Sequence, residues 1–446
     1  MKKSYFRIIR KVACFGLVAV MSASLMGCVG NSSSVGESAV SDSSVTDETT
    51  IGNETNENEE ETTTEAESEF TIPEISIEAK DVPSNEGTDF VKALKLGVSL
   101  GNTFDAYSGC GYKESADLSM ETVWQSAVTT REIIRSYHDA GFDTIRIPVS
   151  WHNHLVDDDY TISEKWLNRV YEVVGWALDE GMYVIINIHH DNDEGFGCFY
   201  PDSEHLEQSK HYIERIWTQL CDKFGEFDEH LIFESMNEPR LVGHNNEWWI
   251  AANDDCRDAI VCINELNQLF VDTVRASGGN NASRFLMCPG YDASPDGALN
   301  TGYVLPTDSD GLENHILVSV HAYTPYNFAL EYPGTTHFDE TSASSTKDIN
   351  TFMNNLYVKF ISKGVPVVIG EFGARGKIKP TDVPNTQDRI NFAAYYVAYA
   401  RACGMSCMWW DNNSFSGNGE NFGLLYRVGN YIFYPEIMEA MLKYCE

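Results

Sequence analysis

Short apolar runs alternate with amphipathic stretches eight times between residues 95 and 411. The runs are rich in Val and Ile and are bounded by Gly, Pro, Asn or Asp, which is typical of strands buried on both faces. The intervening stretches have helical spacing, for example 164–180 before Gly181 and 387–402 before Gly404. Eight such repeats predict an α/β fold, the (β/α)8 TIM barrel. The predicted strands are 95–102, 143–151, 182–190, 230–238, 284–290, 315–323, 366–371 and 406–411.

Long segments follow the carboxyl ends of several predicted strands, whereas the turns at the opposite ends are short. Because loops at the carboxyl ends of barrel strands carry function, this asymmetry places the working surface at one mouth of the barrel. The long segments are 103–120, 191–204, 239–254, 291–313, 324–345 and 412–424.

The amino-terminal residues have the features of an export signal. Basic residues precede an apolar stretch, 12–26, that is too short to span a bilayer, which predicts a signal peptide at 1–27. Leu25-Met26-Gly27-Cys28 resembles a bacterial lipobox, so we expect lipidation of Cys28 and a cell-surface lipoprotein that contacts the membrane only through this anchor. Met26 is bulkier than the usual residue, which leaves ordinary secretion as the alternative.

Residues 28–79 are dominated by Ser, Thr, Asn and Glu. Such a segment buries too little apolar surface to offset its chain entropy, so we predict a disordered acidic linker at 28–79 and one folded domain at 80–446. The linker's fourteen acidic residues and the signal's five basic residues leave −27 of the net −36 to residues 80–446. That charge disfavours nucleic acid and anionic substrates and suits a neutral polymer.

Nine cysteines follow Cys28, and they lack zinc-site spacing. We expect most to be buried thiols, with one or two disulfides left open. No nucleotide or metal signature is present, so we expect no cofactor.

Two glutamates each end an apolar run, in Asn237-Glu238-Pro239 and in Gly370-Glu371-Phe372-Gly373. A barrel gathers such strand ends at one face. A retaining glycosidase needs two carboxyl groups there, one as proton donor and one as nucleophile. The alternative is a pair of solvated loop acids in an acid-rich chain. Asn237 could reach a sugar 2-hydroxyl beside Glu238 only if the strand bulges or ends there.

Strand parity indicates which side chains point into the barrel. Arg146 points inward, where it could orient a carboxylate nucleophile or pair with Glu234. His189 is also inward and is favoured over His190, which lies just past the strand. His321 and Tyr323 share a face at the mouth.

The histidines also allow a metal-site alternative, as in barrel amidohydrolases, with His189, His190, His321 and Asp191 as ligands. That alternative leaves the two strand-end glutamates unexplained. The first strand also lacks the His-x-His usual in such barrels.

Taken in order, the motifs of residues 90–446 resemble glycoside hydrolase family 5, especially its fourth subfamily of endo-β-1,4-glucanases and xyloglucanases. The motifs are Gly101-Asn102-Thr103, Ile145-Arg146-Ile147-Pro148-Val149-Ser150-Trp151, His189-His190-Asp191, Asn237-Glu238-Pro239, His321-Ala322-Tyr323, Gly370-Glu371-Phe372-Gly373, Trp409-Trp410-Asp411-Asn412 and Phe422-Gly423-Leu424-Leu425.

The resemblance implies that Glu238 is the acid/base and Glu371 the nucleophile of a retaining endo-β-1,4-glucanase. It implies substrate contacts from one member of the Trp409–Trp410 pair, by analogy Trp410, and from a set of polar residues. The predicted substrate-binding residues are Asn102, Arg146, His189, His190, Asn237, His321, Tyr323 and Trp410. The chain departs from the resemblance at Val98, where many relatives carry tryptophan; we expect this to open the wall near Asn102 and to leave room for a decorated glucan.

Aromatic residues on the loops could stack on sugar rings or pack locally. These are Tyr112, Phe196, Tyr200, Trp248, Trp249, Tyr326 and Phe415. We expect a monomer that acts on a β-glucan such as cellulose-type glucan, mixed-linkage glucan or xyloglucan. The alternatives are the same barrel acting on mannan or xylan, and a non-catalytic glycan-binding lipoprotein.

Overall fold

The computed structural model describes residues 70–309 and 311–446. Eight parallel strands follow one another around a closed barrel, with β1 paired to β8, which confirms the predicted fold. The strands are β1 Leu96–Leu100, β2 Thr144–Ile147, β3 Tyr183–Asn187, β4 Leu231–Glu234, β5 Leu286–Pro289, β6 Ile316–His321, β7 Val367–Phe372 and β8 Ser406–Asp411, followed by an antiparallel pair, β9 Leu425–Tyr426 and β10 Tyr431–Ile432.

Helices surround the barrel, and several begin at side chains suited to capping. Thr130 and Asn253 accept hydrogen bonds from the first turns of α2 and α5, and Asn85 forms a capping box with Thr88 at α1. The helices are α1 Glu86–Ala93, α2 Arg131–Asp139, α3 Glu164–Asp179, α4 Leu206–Phe224, α5 Asp254–Ala276, α6 Pro295–Leu299, α7 Tyr326–Ala329, α8 Ala343–Lys359, α9 Thr386–Ala402 and α10 Pro435–Leu442.

The barrel has two apolar cores, and together they confine the polar groups to one end. Ile145 and Ile147 of β2 lie in the outer core, between strands and helices. The inner core fills the lower barrel with one or two side chains from most strands and is closed by α1, whose Phe90 stacks on Phe285 with ring centroids 3.7 Å apart. Apolar residues fill the amino-terminal end, and the buried charged groups Arg146, Glu234 and Glu371 lie toward the mouth.

Several strands end before the predicted positions. β2, β3 and β4 stop at Ile147, Asn187 and Glu234. Beyond these points the regular strands have ended, although single backbone hydrogen bonds still join neighbouring segments, such as Asn237 N–H to the Ile188 carbonyl at 2.8 Å. Asn237 and Glu238 therefore lie on a post-strand turn, where neighbouring side chains can face the same site.

The described residues begin ten residues before the boundary predicted at residue 80, and those ten belong to the same compact unit as the barrel. The folded unit begins at Phe70, and Phe70, Ile72, Ile75 and Ile77 pack against the outer core. The Ile75 N–H donates to the Tyr444 hydroxyl at 2.8 Å. The alternating apolar residues within an acidic composition are sufficient to attach this segment to the carboxyl-terminal helices. The signal peptide 1–27, Cys28 and the linker up to residue 69 lie outside the described residues and stay predictions.

The cysteines behave as packing residues. Within the described ranges all nine are free thiols, eight of them buried and Cys110 exposed. Burial raises the pKa of Cys288 and Cys407, which keeps both protonated. No helix in the described part is long and apolar enough to cross a membrane.

Deletion of residues 70–79 should destabilise the barrel, because it exposes outer-core surface that Ile72, Ile75 and Ile77 cover. We expect a loss of about 2 kcal/mol or more and a fall in Tm of several degrees, measured by thermal unfolding of chains starting at residues 70 and 80. A chain starting at residue 60 is the control and should melt with the chain starting at 70. Equal melting of all three would refute the packing role.

Candidate active site

The two glutamates meet at the mouth with His321 between them. Glu371 lies on β7, Glu238 on the turn after β4, and His321 ends β6. The His321 Nδ1 atom is 3.0 Å from Glu238 Oε1 and 3.7 Å from Glu371 Oε1. One oxygen of each carboxylate and one ring nitrogen lie within 4.8 Å of one another. This proximity is compatible with a nucleophile and proton-donor pair.

Arg146 is fully buried and takes both roles that the sequence left open, the ion pair with Glu234 and the orientation of a second carboxylate. Its guanidinium contacts Glu234 Oε2 at 2.7 Å and donates to Glu371 Oε1 at 2.7 Å and to Asn237 Oδ1 at 2.7 Å. Burial favours its neutral form, but the charges of Glu234 and Glu371 outweigh burial and raise its pKa. Arg146 therefore forms the structural ion pair and also orients the strand-end glutamate.

Glu234 is a permanent anion beneath the site. Burial would raise its pKa, but Arg146 and His321 outweigh burial and lower it to about 2. Ser319 Oγ also donates to Glu234 Oε1 at 2.6 Å. Charge and hydrogen bonding thus satisfy an otherwise costly buried carboxylate.

Both oxygens of Glu371 are held. Arg146 donates to one, and the Tyr323 hydroxyl donates to the other at 2.8 Å. Burial and the charge of Glu371 raise the pKa of Tyr323 well above its ordinary value, so Tyr323 remains a donor. A carboxylate fixed this way presents one defined face to a substrate.

The environment of Glu238 differs from that of Glu371. Burial raises the pKa of Glu238, but hydrogen bonding and charge from His321, together with the charge of Arg240, outweigh burial and lower it. The Arg240 Nη1 atom is 3.3 Å from Glu238 Oε2. Burial would lower the pKa of His321, but the surrounding carboxylates, above all Glu371, outweigh burial and raise it to about 10.

Of the two tryptophans that end β8, Trp410 faces the mouth. Its ring lies parallel to His189 with centroids 5.8 Å apart, and a Cβ on Gly101 would lie 2.7 Å from it. Trp409 is fully buried in the outer core and donates from Nε1 to the Phe422 carbonyl at 2.9 Å. Parity predicted that only one would face the mouth, and Trp410 is the one that lies there, while its contact with a sugar stays a prediction.

Asp105 is a site residue that the sequence did not reveal. It is fully buried and accepts the N–H groups of Asn102 at 3.0 Å and Thr103 at 2.7 Å, which fixes the loop where Asn102 adopts φ 58°. Burial outweighs these bonds and raises its pKa to about 7. Its carboxylate lies within 4.8 Å of ring nitrogens of His189 and His190. The only sequence signal was its position just after the Gly101-Asn102-Thr103 turn.

The geometry does not assemble the four-residue metal set. Asp191 accepts hydrogen bonds from the backbone of Trp151 and His152 instead of facing His321. His189 also has the wrong proton arrangement, because the Asn187 amide donates to its Nδ1 atom at 3.2 Å and leaves the proton on Nε2. His189 therefore presents a hydrogen-bond donor to the mouth.

The loop aromatics divide into two groups. Trp248, Trp249 and Tyr326 are more than half exposed and available as platforms. The others have local partners: Tyr200 is buried, Phe196 stacks on His152 and Phe415 packs on Phe433, while Tyr112 is half-buried. Tyr107 and Trp124, which the sequence analysis did not select, lie against His190 with ring centroids 5.7 and 5.5 Å away.

The expectation for Val98 is wrong. Val98 is fully buried and belongs to the outer core, facing away from the barrel interior. Inward-facing Ser99 pairs in register with Trp410 instead. The small residue at position 98 therefore creates no space beside Asn102.

All the predicted catalytic and substrate-binding positions thus lie around one mouth, and comparison with known proteins identifies the family. The family model for cellulase (glycosyl hydrolase family 5) matches residues 110–416. The chain is 39% identical to endoglucanase B of Ruminococcus albus over 98% of both chains.

Solved structures agree. A mutant glycoside hydrolase 5 lichenase from Caldicellulosiruptor sp. F32, in complex with cellotetraose, is 51% identical with a TM-score of 0.81, covering 84% of this chain and all of that one. A GH5-4 broad specificity endoglucanase from Ruminococcus champanellensis, with bound cellotriose, is 40% identical with a TM-score of 0.72, covering 81% and 100%. The chain therefore belongs to glycosyl hydrolase family 5 and is an endoglucanase-type β-glucan hydrolase.

Proposed function

We propose that the enzyme cleaves internal β-1,4-glucosidic bonds by double displacement with retention, with Glu371 as nucleophile and Glu238 as acid/base. The observation that carries this proposal is the carboxylate pair, whose nearest oxygens lie within 4.8 Å and whose environments differ. Glu371 accepts a hydrogen bond from Arg146 on one oxygen and from Tyr323 on the other. Glu238 contacts His321 and Arg240 at the wetter rim.

In the first step Glu371 attacks the anomeric carbon while Glu238 donates its proton to the departing glycosidic oxygen. The bond to the leaving sugar breaks and a covalent glycosyl-enzyme forms. In the second step Glu238, now a carboxylate, takes a proton from water, which attacks the same carbon and releases Glu371. Two inversions at one carbon give net retention.

The flanking residues bind the reacting sugar. Trp410 supplies a flat apolar floor and His189 an N–H donor beside it. The Asn237 amide, fixed through Arg146, is oriented for the sugar 2-hydroxyl. Asn102 and His190 are placed for the neighbouring sugar, on the side where Asp105 and Tyr107 lie.

A neutral glucan is the substrate class that the charge distribution favours. Glu420 faces both catalytic glutamates, and burial with their charges raises its pKa. Carboxylates around the mouth repel uronates and carboxymethyl groups near the cleaved bond. Among neutral polysaccharides, similarity to a lichenase and to broad specificity endoglucanases makes mixed-linkage glucan, cellulose-type glucan and xyloglucan the candidates. Mannan, xylan and binding without catalysis are alternatives that the experiments below separate.

Substitution of the two glutamates should give opposite stereochemical results. Glu371→Ala should lose about 10⁴-fold or more of its activity and, with azide and an activated aryl β-cellobioside, form the inverted glycosyl azide. Glu238→Ala should keep activity only on activated substrates and form the retained azide. Product configuration is read by NMR, and inversion by the wild-type enzyme would exclude the double-displacement mechanism.

Arg146→Lys should lower kcat on the order of 10²-fold with little change in KM, because an ammonium cannot bind Glu234, Glu371 and Asn237 together. Arg275→Lys is the matched control. Arg275 pairs with Asp308 at 2.6 Å in a separate ion pair, so its loss should lower Tm and leave kcat unchanged below the melting transition. If Arg146→Lys and Arg275→Lys lowered kcat equally, Arg146 would act only through the stability of the fold.

Substrate class is tested by viscosity and reducing-end release on mixed-linkage glucan, xyloglucan, carboxymethylcellulose, mannan and xylan. We expect a rapid viscosity fall on mixed-linkage glucan and slower attack on carboxymethylcellulose because of charge repulsion. The Glu371→Ala variant is the blank. Turnover confined to mannan or xylan would overturn the glucan assignment, and binding without turnover by the wild-type protein would favour the non-catalytic alternative.

A further inference from the structure

Asp292 is a half-buried carboxyl group beside Glu238 for which the steps above have no use. It lies on the turn after β5, and its N–H donates to the Pro239 carbonyl at 2.8 Å, which ties it to the Asn237-Glu238-Pro239 turn. Its Oδ1 atom is fully buried and has no hydrogen-bond partner among the described residues. An orphaned buried carboxylate oxygen is costly and calls for an explanation.

The backbone holds Asp292 in an unfavourable conformation. Asp292 has φ 57° and the next residue, Ala293, has φ 44°, so two consecutive residues other than glycine are left-handed. Gly290 packs so closely on Gly297 that a Cβ would lie 2.7 Å from its carbonyl carbon, and the Tyr291 hydroxyl donates to the Asn246 carbonyl at 2.8 Å. Strain maintained by such packing is typical of functional sites.

Asp292 and Glu238 flank one guanidinium. Arg240 Nη1 lies 3.3 Å from Glu238 Oε2, whereas Arg240 Nε lies 3.9 Å from Asp292 Oδ1, beyond hydrogen-bond distance. The Nε–H is directed to Glu247 Oε1 at 3.3 Å instead. One cation therefore serves three carboxyl groups and leaves Asp292 the least compensated.

We propose that Asp292 is a positioning residue that keeps the acid/base Glu238 able to donate a proton, by placing a second carboxyl group, one oxygen of which is fully buried, across Arg240 from it. This inference rests on the proposed role of Glu238. In the free protein His321 and Arg240 favour the ionised form of Glu238, whereas the first step requires its protonated form. Two neighbouring carboxyl groups that share too few cations retain one proton between them to higher pH than either alone.

The surroundings support a coupled pair. Burial and the charge of Glu238 raise the pKa of Asp292 well above its ordinary value. The other ionisable groups that face the pair are Arg240, Glu247, His190, His321, Tyr323, Glu371 and Glu420. Of these, the cations Arg240 and His321 oppose proton retention and the carboxylates favour it.

The test is the pH dependence of kcat/KM for Asp292→Asn on two substrates, a neutral glucan oligosaccharide and a dinitrophenyl β-cellobioside. Asparagine tolerates a left-handed backbone, so the turn should persist. On the oligosaccharide, the basic limb of the kcat/KM profile should move to lower pH by about one unit, so kcat/KM should fall about tenfold at any pH on that limb. The activated substrate needs little proton donation, so its profile should change far less. Asp296→Asn, an exposed carboxyl group four residues away, is the matched control and should follow the wild type.

Asp292→Gly, which removes the carboxyl group and suits the left-handed backbone, repeats the test if Asp292→Asn melts early. A basic limb that coincides with that of the wild-type enzyme would overturn the inference and leave Asp292 a structural residue. Equal losses of kcat/KM on the two substrates would do the same. Glu238→Gln separates this failure from a failure of the proposed mechanism. If Glu238→Gln also shows no contrast between the substrates, Glu238 is not the acid and the proposed function fails with the inference.

Discussion

The buried charge of Arg146 is the interaction on which the site depends. A guanidinium with no exposure to solvent must be surrounded by acceptors, and here β4 provides Glu234, the turn after β4 provides Asn237, and β7 provides Glu371. Removing any one partner would leave a buried charge or dipole unpaired, which costs more than the pair itself stabilises. The network therefore fixes the relative positions of strands β2, β4 and β7 at the mouth.

The apolar lower barrel makes this polar upper layer possible. The inner core and α1 exclude water beneath Glu234, so the charges above it interact in a medium of low polarity. In that medium a single donor such as Tyr323 or His321 has a large effect on the carboxylate it contacts. The same exclusion explains why His321 and Arg240, beside Glu238, can lower the pKa of that carboxyl group although burial alone would raise it.

The two sides of the mouth differ in how their charges are balanced. Around Glu371 each oxygen has a direct partner, and the geometry is closed. Around Glu238 one guanidinium, Arg240, is shared among carboxyl groups and also lies 4.1 Å from the exposed ring of Trp248. A nucleophile benefits from a fixed charge. A group that gives and takes a proton in each cycle benefits from surroundings in which a small change in nearby charge shifts its protonation state.

The sequence by itself determined the barrel, the inward direction of Arg146, His189 and His321, and the strand-end location of Glu238 and Glu371, because these follow from alternation along strands and from the meeting of parallel strand ends. Family resemblance selected Trp410, and the structure supplied the physical reason, since Trp409 fills the outer core. Strand ends, the packing of residues 70–79 and the burial of Val98 were decided by contacts between segments distant in the chain. The same holds for Asp105 and Asp292, which are ordinary loop acids in the sequence. Only the tertiary structure encloses them beside the catalytic groups, because burial and partner distance, which set the state of a carboxyl group, are not local properties of a sequence.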